Sequence, residues 1–147
     1  VKLLEHFKLL CGCLGRRQDK SGKAKNAANA IGLHFTADQL QKEAASLHIA
    51  GWIRGKLICC LVLKPLDEKR IKLRQLAVRE KYRNHGYGRQ LVRYAEKYAQ
   101  KKGFKEMTLH ARVASMGFYE KLGYHVTGKK FIEVGLQHCK MTRKLRD

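Results

Sequence analysis

Arg83-Asn84-His85-Gly86-Tyr87-Gly88 stands between an apolar segment ending at Val78 and a helical pattern beginning around Tyr87. The first backbone N–H groups of a helix have no intrahelical acceptor and carry part of a positive charge, so a loop feeding a helix start can gather an anion. Gly86 and Gly88 let the main chain come close to a phosphate in conformations closed to bulkier residues. Two better-known phosphate motifs do not fit. The dinucleotide fingerprint G-x-G-x-x-G needs a third glycine and a later acidic residue, and the G-x-x-x-x-G-K-[ST] loop is absent. The five cysteines, Cys11, Cys13, Cys59, Cys60 and Cys139, show no C-x-x-C spacing. Reduced thiols without a metal are expected, with Cys59 and Cys60 acting as small apolar residues.

The elements that must carry this loop follow from periodicity. Leu3, Leu4, Phe7 and Leu10 have helical spacing within Val1–Leu10, and a basic stretch with glycines runs on to Gly32 as a loop. A short helix is expected over Ala37–Ala45. Strands follow over Leu47–Ile53 and Leu57–Leu63, joined as a hairpin near Arg54-Gly55, and Pro65 closes the second. Asp67–Arg70 supplies a charged turn. From Ile71 to Val78 the apolar positions change parity, Ile71 and Leu73 odd, Leu76 and Val78 even. Either a β-bulge near Arg74-Gln75 resets the register or both faces of the strand are buried. Leu91, Tyr94, Ala95 and Tyr98 then mark a helix stopped by Gly103. A strand over Lys105–Ala111, a short helix over Ser115–Leu122 ending at Gly123, and closing strands over Tyr124–Glu133 and Gln137–Arg143 complete the pattern. Thr142–Asp147 reads as a solvated end.

With Leu76-Ala77-Val78 before it, R-x-x-G-x-G resembles the acetyl-CoA motif of the GNAT superfamily. Phe118-Tyr119-Glu120-Lys121-Leu122-Gly123-Tyr124 resembles the F-Y-x-x-L-G-[FY] segment of the same superfamily. Leu109-His110-Ala111-Arg112 and the tail from Phe131 to Met141 are similar to small members ending F-x-E-x-G-I-P-H-x-x-M. The resemblance runs from about Leu47 to Leu145. It implies one α/β (α+β) domain over residues 1–147: a mixed, mostly antiparallel twisted sheet flanked by helices, with a splayed central strand. Residues 1–45 match it poorly.

The resemblance also implies roles. Acetyl-CoA would be the co-substrate, its pantetheine arm paired along Leu76, Ala77 and Val78, its pyrophosphate held by backbone amides of Arg83, Asn84, His85, Gly86, Tyr87, Gly88 and Arg89. The N–H of Val78 would stabilise the oxyanion as a primary amine attacks the thioester, and Tyr119 would protonate the departing thiolate. Without the motif, Tyr119 reads as a packing aromatic and Arg83 as a surface cation whose amide matters more than its side chain. Glu133 and His138 are the candidate bases. Arg112 stands where relatives carry an Asn that helps hold the cofactor, and Ser115-Met116-Gly117 replaces a small-apolar and proline sequence. Arg112 and Ser115 are therefore the altered cofactor contacts. The acceptor, a small molecule or a protein amine, is not written in the sequence.

Thirty-two Lys plus Arg against 12 Asp plus Glu give a formal net charge of +20, which favours anionic partners. The alternative function is therefore a basic nucleic-acid- or ribosome-associated binding protein on the same scaffold, without turnover. It lacks helix-turn-helix, zinc-finger and RNA-recognition-sheet signatures. No apolar stretch reaches membrane-span length. A cytoplasmic protein, monomer or homodimer, is the expectation.

Overall fold

The computed structural model describes residues 6–11 and 46–146, and side chains from Ser46 onward. The helix expected at Ala37–Ala45 and the loop up to Gly32 lie outside the described residues. The chain divides into two compact units: residues up to Lys64 with Gln75–Ala95, and Pro65–Arg74 with Glu96 to the end.

In the first unit, β1 (His6–Cys11), β2 (Leu47–Ile53) and β3 (Lys56–Pro65) pair antiparallel in sequence order, with β4 (Arg70–Val78) next to β3. β1 corrects the helix expected over Val1–Leu10: His6–Cys11 lies in register with β2 from His6↔Trp52 to Cys11↔Leu47. Six residues admit both the helical and the alternating period, and the neighbouring strand supplies the backbone partners that decide between them. The β2–β3 hairpin turns at Arg54 (φ 48) and Gly55 (φ 71), the pair of left-handed conformations that a two-residue turn matched to strand twist requires. β2 carries a register shift between Gly51 and Trp52 that alternation had not indicated.

Ile58 to Leu63 are all buried. Consecutive strand residues point to opposite faces, so β3 is covered on both. Each of its large aliphatic side chains contributes about 1.5–3 kcal/mol of burial. Burial pushes the thiols of Cys59 and Cys60 up to about 12, helped at Cys59 by its neighbour's charge. Both are therefore inert packing groups at neutral pH.

In the second unit the order is β4, β5 (Glu106–Arg112), β8 (Leu136–Lys144), with β6 (His125–Val126) and β7 (Phe131–Glu133) both on β8. β4–β5 is parallel, from Arg70↔Glu106 to Leu73↔Leu109, while β8 runs antiparallel to β5, β6 and β7. Asp67 shapes the turn into β4 by accepting from the amides of Lys69 (2.9 Å) and Arg70 (2.7 Å). The β4–β5 pairing stops at Leu73↔Leu109, although β4 runs on to Val78 and β5 to Arg112. Immediately beyond that stop Gln75 takes φ 48, and Ile71 and Leu73 are buried whereas positions 74–78 are half-buried. The kink at Gln75 and the half-burial beyond it agree with the bulge reading of the parity change rather than with a doubly buried strand.

Helix α1 (Tyr87–Lys101) buries Leu91, Val92, Ala95, Glu96 and Ala99, with Tyr94 and Tyr98 half-buried beside them. The buried stripe is thus rotated from the expected one, the alanines allowing close approach and the tyrosines keeping a polar tip at the rim. Phe104 N donates to Ala99 O (3.0 Å) across Gly103 (φ 93), which ends the helix. Two further expectations change. Tyr124–Glu133 is two short strands, β6 and β7. Thr142–Asp147 is not a solvated end: Thr142 and Leu145 are buried, Leu145 N donates to Lys105 O (2.8 Å), and Arg143 is tied to the buried Glu96. Nη1 of Arg143 donates to both Glu96 carboxylate oxygens (3.0 and 2.9 Å) and to Leu122 O (2.7 Å), and the Tyr124 hydroxyl donates to Oε1 of Glu96 (3.0 Å). These bonds satisfy a carboxylate that could not otherwise be buried.

Candidate active site

Within the first unit, the chain leaving β4 is fixed before it turns. Arg79 donates its amide to Ile58 O (2.8 Å) and its Nε to Leu57 O (2.6 Å). A single 3-10 turn over Glu80–Tyr82 follows. Arg83 Nε then donates back to Val78 O (3.1 Å), and His85 Nδ1 donates to Arg83 O (2.6 Å). The Arg83 amide, expected to matter more than its side chain, is instead bonded to Glu80 O (3.1 Å), and it is the side chain that braces the end of β4. Asn84 (φ 61) and Gly86 (φ 83) take left-handed conformations, tolerated by these two residue types. Tyr87 is buried, with the His85 ring stacked 6.2 Å away and Tyr82 edge-on at the same distance.

Gln90 N donates to Gly86 O (3.1 Å), so the amides of Tyr87, Gly88 and Arg89 have no acceptor within the helix. Arg83, Asn84, His85, Gly86 and Arg89 are exposed, and Leu76, Ala77 and Val78 are half-buried without partners on β5. First-turn amides without a helical acceptor, two loop residues bent back by positive φ and two flanking cations fit a pyrophosphate.

In the second unit the structure brings Glu133 and His138 together and adds two residues that the sequence reading had not selected. Oε2 of Glu133 lies 3.9 Å from His138 Nε2 and 3.5 Å from His110 Nδ1. Nζ of Lys72 lies 3.1 and 3.4 Å from the two ring nitrogens of His110. Phe131 is wedged between the histidines, edge-on to His110 (4.9 Å) and stacked on His138 (6.0 Å). His138 is buried and its Nδ1 donates to Leu136 O (2.8 Å). Burial, then the charge of Lys72, lowers the His110 pKa below its ordinary value, with Glu133 pulling the other way. His110 was visible in Leu109-His110-Ala111-Arg112. Lys72 had one signal, a cation between the buried Ile71 and Leu73. Among the described residues no group of three or more His, Cys, Asp or Glu side chains is placed to hold a metal.

Tyr119, in helix α2 (Met116–Lys121), is buried with Phe118 and Tyr124 edge-on at 5.0 and 5.9 Å. Its carbonyl closes the helix by accepting from Leu122 and Tyr124 amides (both 3.0 Å). Burial pushes its phenol up to about 12, which keeps the proton on at neutral pH. Arg112 is exposed at the end of β5, opposite His138 in register. Ser115 is half-buried at the α2 N-cap and makes no capping bond with its side chain. An open cavity of about 540 Å³ lies elsewhere, at the N-terminal ends of β4 and β5, lined in part by Asp67, Arg70, Glu106 and Lys144. Surface charges of both signs line it, and none of the residues above belongs to it.

The profile of the acetyltransferase (GNAT) family matches residues 18–124, which includes the loop, β5 and Tyr119. The chain belongs to this family. Among its relatives, the uncharacterised protein YyaT of Bacillus subtilis (strain 168) is 34% identical over 74 residues, half of each chain. N-acetyltransferase family 8 member 3 of Rattus norvegicus is 29% identical over 114 residues, 69% of this chain and 50% of that one. The chain thus spans about half the length of the curated relatives it matches. In fold it is similar to a GNAT family acetyltransferase from Elizabethkingia anophelis with acetyl-CoA bound, at a TM-score of 0.69 and 19% identity over 96% of this chain and 99% of that one.

Proposed function

We propose that this chain transfers an acetyl group from acetyl-CoA to a primary amine, by direct attack of the amine on the thioester. The observation that carries the reading is the Arg83–Arg89 segment. Its first-turn amides point out of the helix, its left-handed residues are Asn84 and Gly86, and its sequence lies within the family match. Acetyl-CoA, when bound, supplies the activated acyl group. The amides of Asn84 to Arg89 hold its diphosphate, that of Arg83 being bonded to Glu80 O (3.1 Å), and Leu76, Ala77 and Val78 offer backbone partners to its pantetheine arm. Val78 N–H stabilises negative charge on the carbonyl oxygen, a role that needs its strand end held still, which the Arg83 bond to Val78 O does. The family resemblance makes Arg112 and Ser115 candidates for further contacts to the cofactor.

Tyr119 donates a proton to the departing sulfur. Its burial keeps the phenol protonated until the step but also disfavours the phenolate left behind, so burial supplies the proton and at the same time opposes its transfer. Glu133 and His138 belong to the group that receives the amine's proton. The excess of cations favours an acceptor carried on an acidic molecule or surface, nucleic-acid assemblies included.

The reading is tested by assaying acetyl transfer to a panel of polyamines, amino sugars, amino acids and lysine peptides, with Tyr119→Phe in parallel. Native activity, reduced about 10²–10³-fold in kcat by Tyr119→Phe with acetyl-CoA affinity unchanged, is expected. Activity equal in the two proteins would remove Tyr119 from the chemistry. Absence of both transfer and acetyl-CoA binding would remove the enzyme reading and leave a basic binding protein on a GNAT scaffold.

A further inference from the structure

We propose that His110 takes the proton from the acceptor amine, with Glu133 as its positioning residue and Lys72 as the cation held beside its ring. The inference rests on the acetyl-transfer reading and deepens it. Two independent observations point to His110 rather than to His138 or Glu133 acting directly.

The first is position. Leu109 is the last β5 residue paired with β4, so His110 is the first beyond the place where that pairing stops. His138, by contrast, is a buried β8 residue whose Nδ1 proton is committed to Leu136 O and whose ring is stacked on Phe131. Its side chain is 10% exposed against 28% for His110. The second is the set of charges around the ring. Glu133 Oε2, 3.5 Å from Nδ1, can accept a proton there, whereas the donor-only ammonium of Lys72, 3.1 Å from the same nitrogen, favours a lone pair on it. Lys72 lies within 3.4 Å of both nitrogens, and Lys140, opposite His110 in register on β8, adds to its field. Two cations oppose a charged ring and one carboxylate supports it. The outcome is a histidine neutral at physiological pH, as a base must be, with a counter-ion in place for the imidazolium that forms.

The step balances. As the acceptor nitrogen bonds to the acyl carbon it loses a proton to the unprotonated ring nitrogen of His110. The C–S bond breaks with its electron pair on sulfur, which takes the proton of Tyr119. Solvent then returns a proton to Tyr119 and removes one from His110.

The test combines two readouts on the full chain. NMR of protein labelled with ¹⁵N in histidine follows the titration of His110 in the native chain, Lys72→Met and Glu133→Gln. The pH dependence of kcat/KM, with acetyl-CoA and whichever amine of the panel is acetylated fastest, is measured on the same three proteins and on His110→Gln. His110 should titrate below the ordinary histidine value of about 6.5, higher in Lys72→Met and lower still in Glu133→Gln. The acid limb of the rate profile should move with it. His110→Gln should lose about 10²–10⁴-fold in kcat while binding acetyl-CoA as the native chain does.

An acid limb that stays put while the NMR titration moves would overturn the proposal and leave acetyl transfer intact. So would a His110→Gln enzyme of native kcat. If the chain binds acetyl-CoA but acetylates no amine of the panel, the proposal falls together with the acetyl-transfer reading.

Discussion

The Arg83–Gly88 loop and the Lys72–His110–Glu133–His138 cluster use different parts of the chain. The loop presents main-chain amides. Its side chains serve the main chain, Arg83 bracing Val78 O and His85 bonding to Arg83 O. The cluster presents side chains delivered by four strands, β4, β5, β7 and β8, and its main chain serves only to set the register. Both regions contain left-handed backbone, but with different residues. In the loop it falls on Asn84 and Gly86. In the β7–β8 turn it falls on Val134 (φ 50) and Gly135 (φ 71). A β-branched residue in that conformation is strained by about 1–2 kcal/mol. A site made of backbone selects residues for the conformations they permit. A site made of side chains tolerates a poor turn residue provided the strands on either side hold Glu133 and His138 where they are.

That difference can be broken or sharpened by substitution. The larger effect is expected at Arg83. Arg83→Met keeps the length of the side chain and every loop amide but removes the bond to Val78 O. This exposed charge-assisted bond is worth about 1 kcal/mol, so acetyl-CoA affinity measured by calorimetry should fall about fivefold. A fall of a hundredfold would mean that the guanidinium itself binds the cofactor and that the loop does not work mainly through its backbone. The smaller effect is expected at Val134, which is 93% exposed and so loses little burial on replacement. Val134→Asn should raise stability by about 1 kcal/mol, seen as a rise in Tm of about 2–4 °C. A lower Tm would show that the valine side chain supports the hairpin and that the turn is not strained.

The same contrast explains how much could be read beforehand. The loop, the helix start and the hairpin at Arg54-Gly55 were legible because their causes lie within a few consecutive residues. The bulge was legible as a parity change whose outcome the Gln75 conformation decides. Glu133 and His138 were singled out by resemblance, but their meeting with His110 and Lys72 was not, because it depends on β5 pairing in parallel with β4 and antiparallel with β8. The β1 strand was misread as a helix because six residues of mixed polarity fit both periods, and a partner strand made the choice. The tail was misread because Arg143 looks like a solvated cation until the buried Glu96, 47 positions earlier, is placed beside it.

The central claim is that the Arg83–Arg89 backbone forms the seat of acetyl-CoA. It is tested most directly by calorimetric titration of acetyl-CoA into the native chain, Gly86→Gln and Gly86→Glu at two salt concentrations, with circular dichroism confirming that all three fold. Both substitutions strain the φ 83 backbone equally and crowd the phosphate, while only one adds a negative charge. Native binding that persists at high salt, weakened in Gly86→Gln and abolished in Gly86→Glu, is the result expected. Equal binding by all three proteins would contradict the assignment of this loop and the enzyme reading built on it.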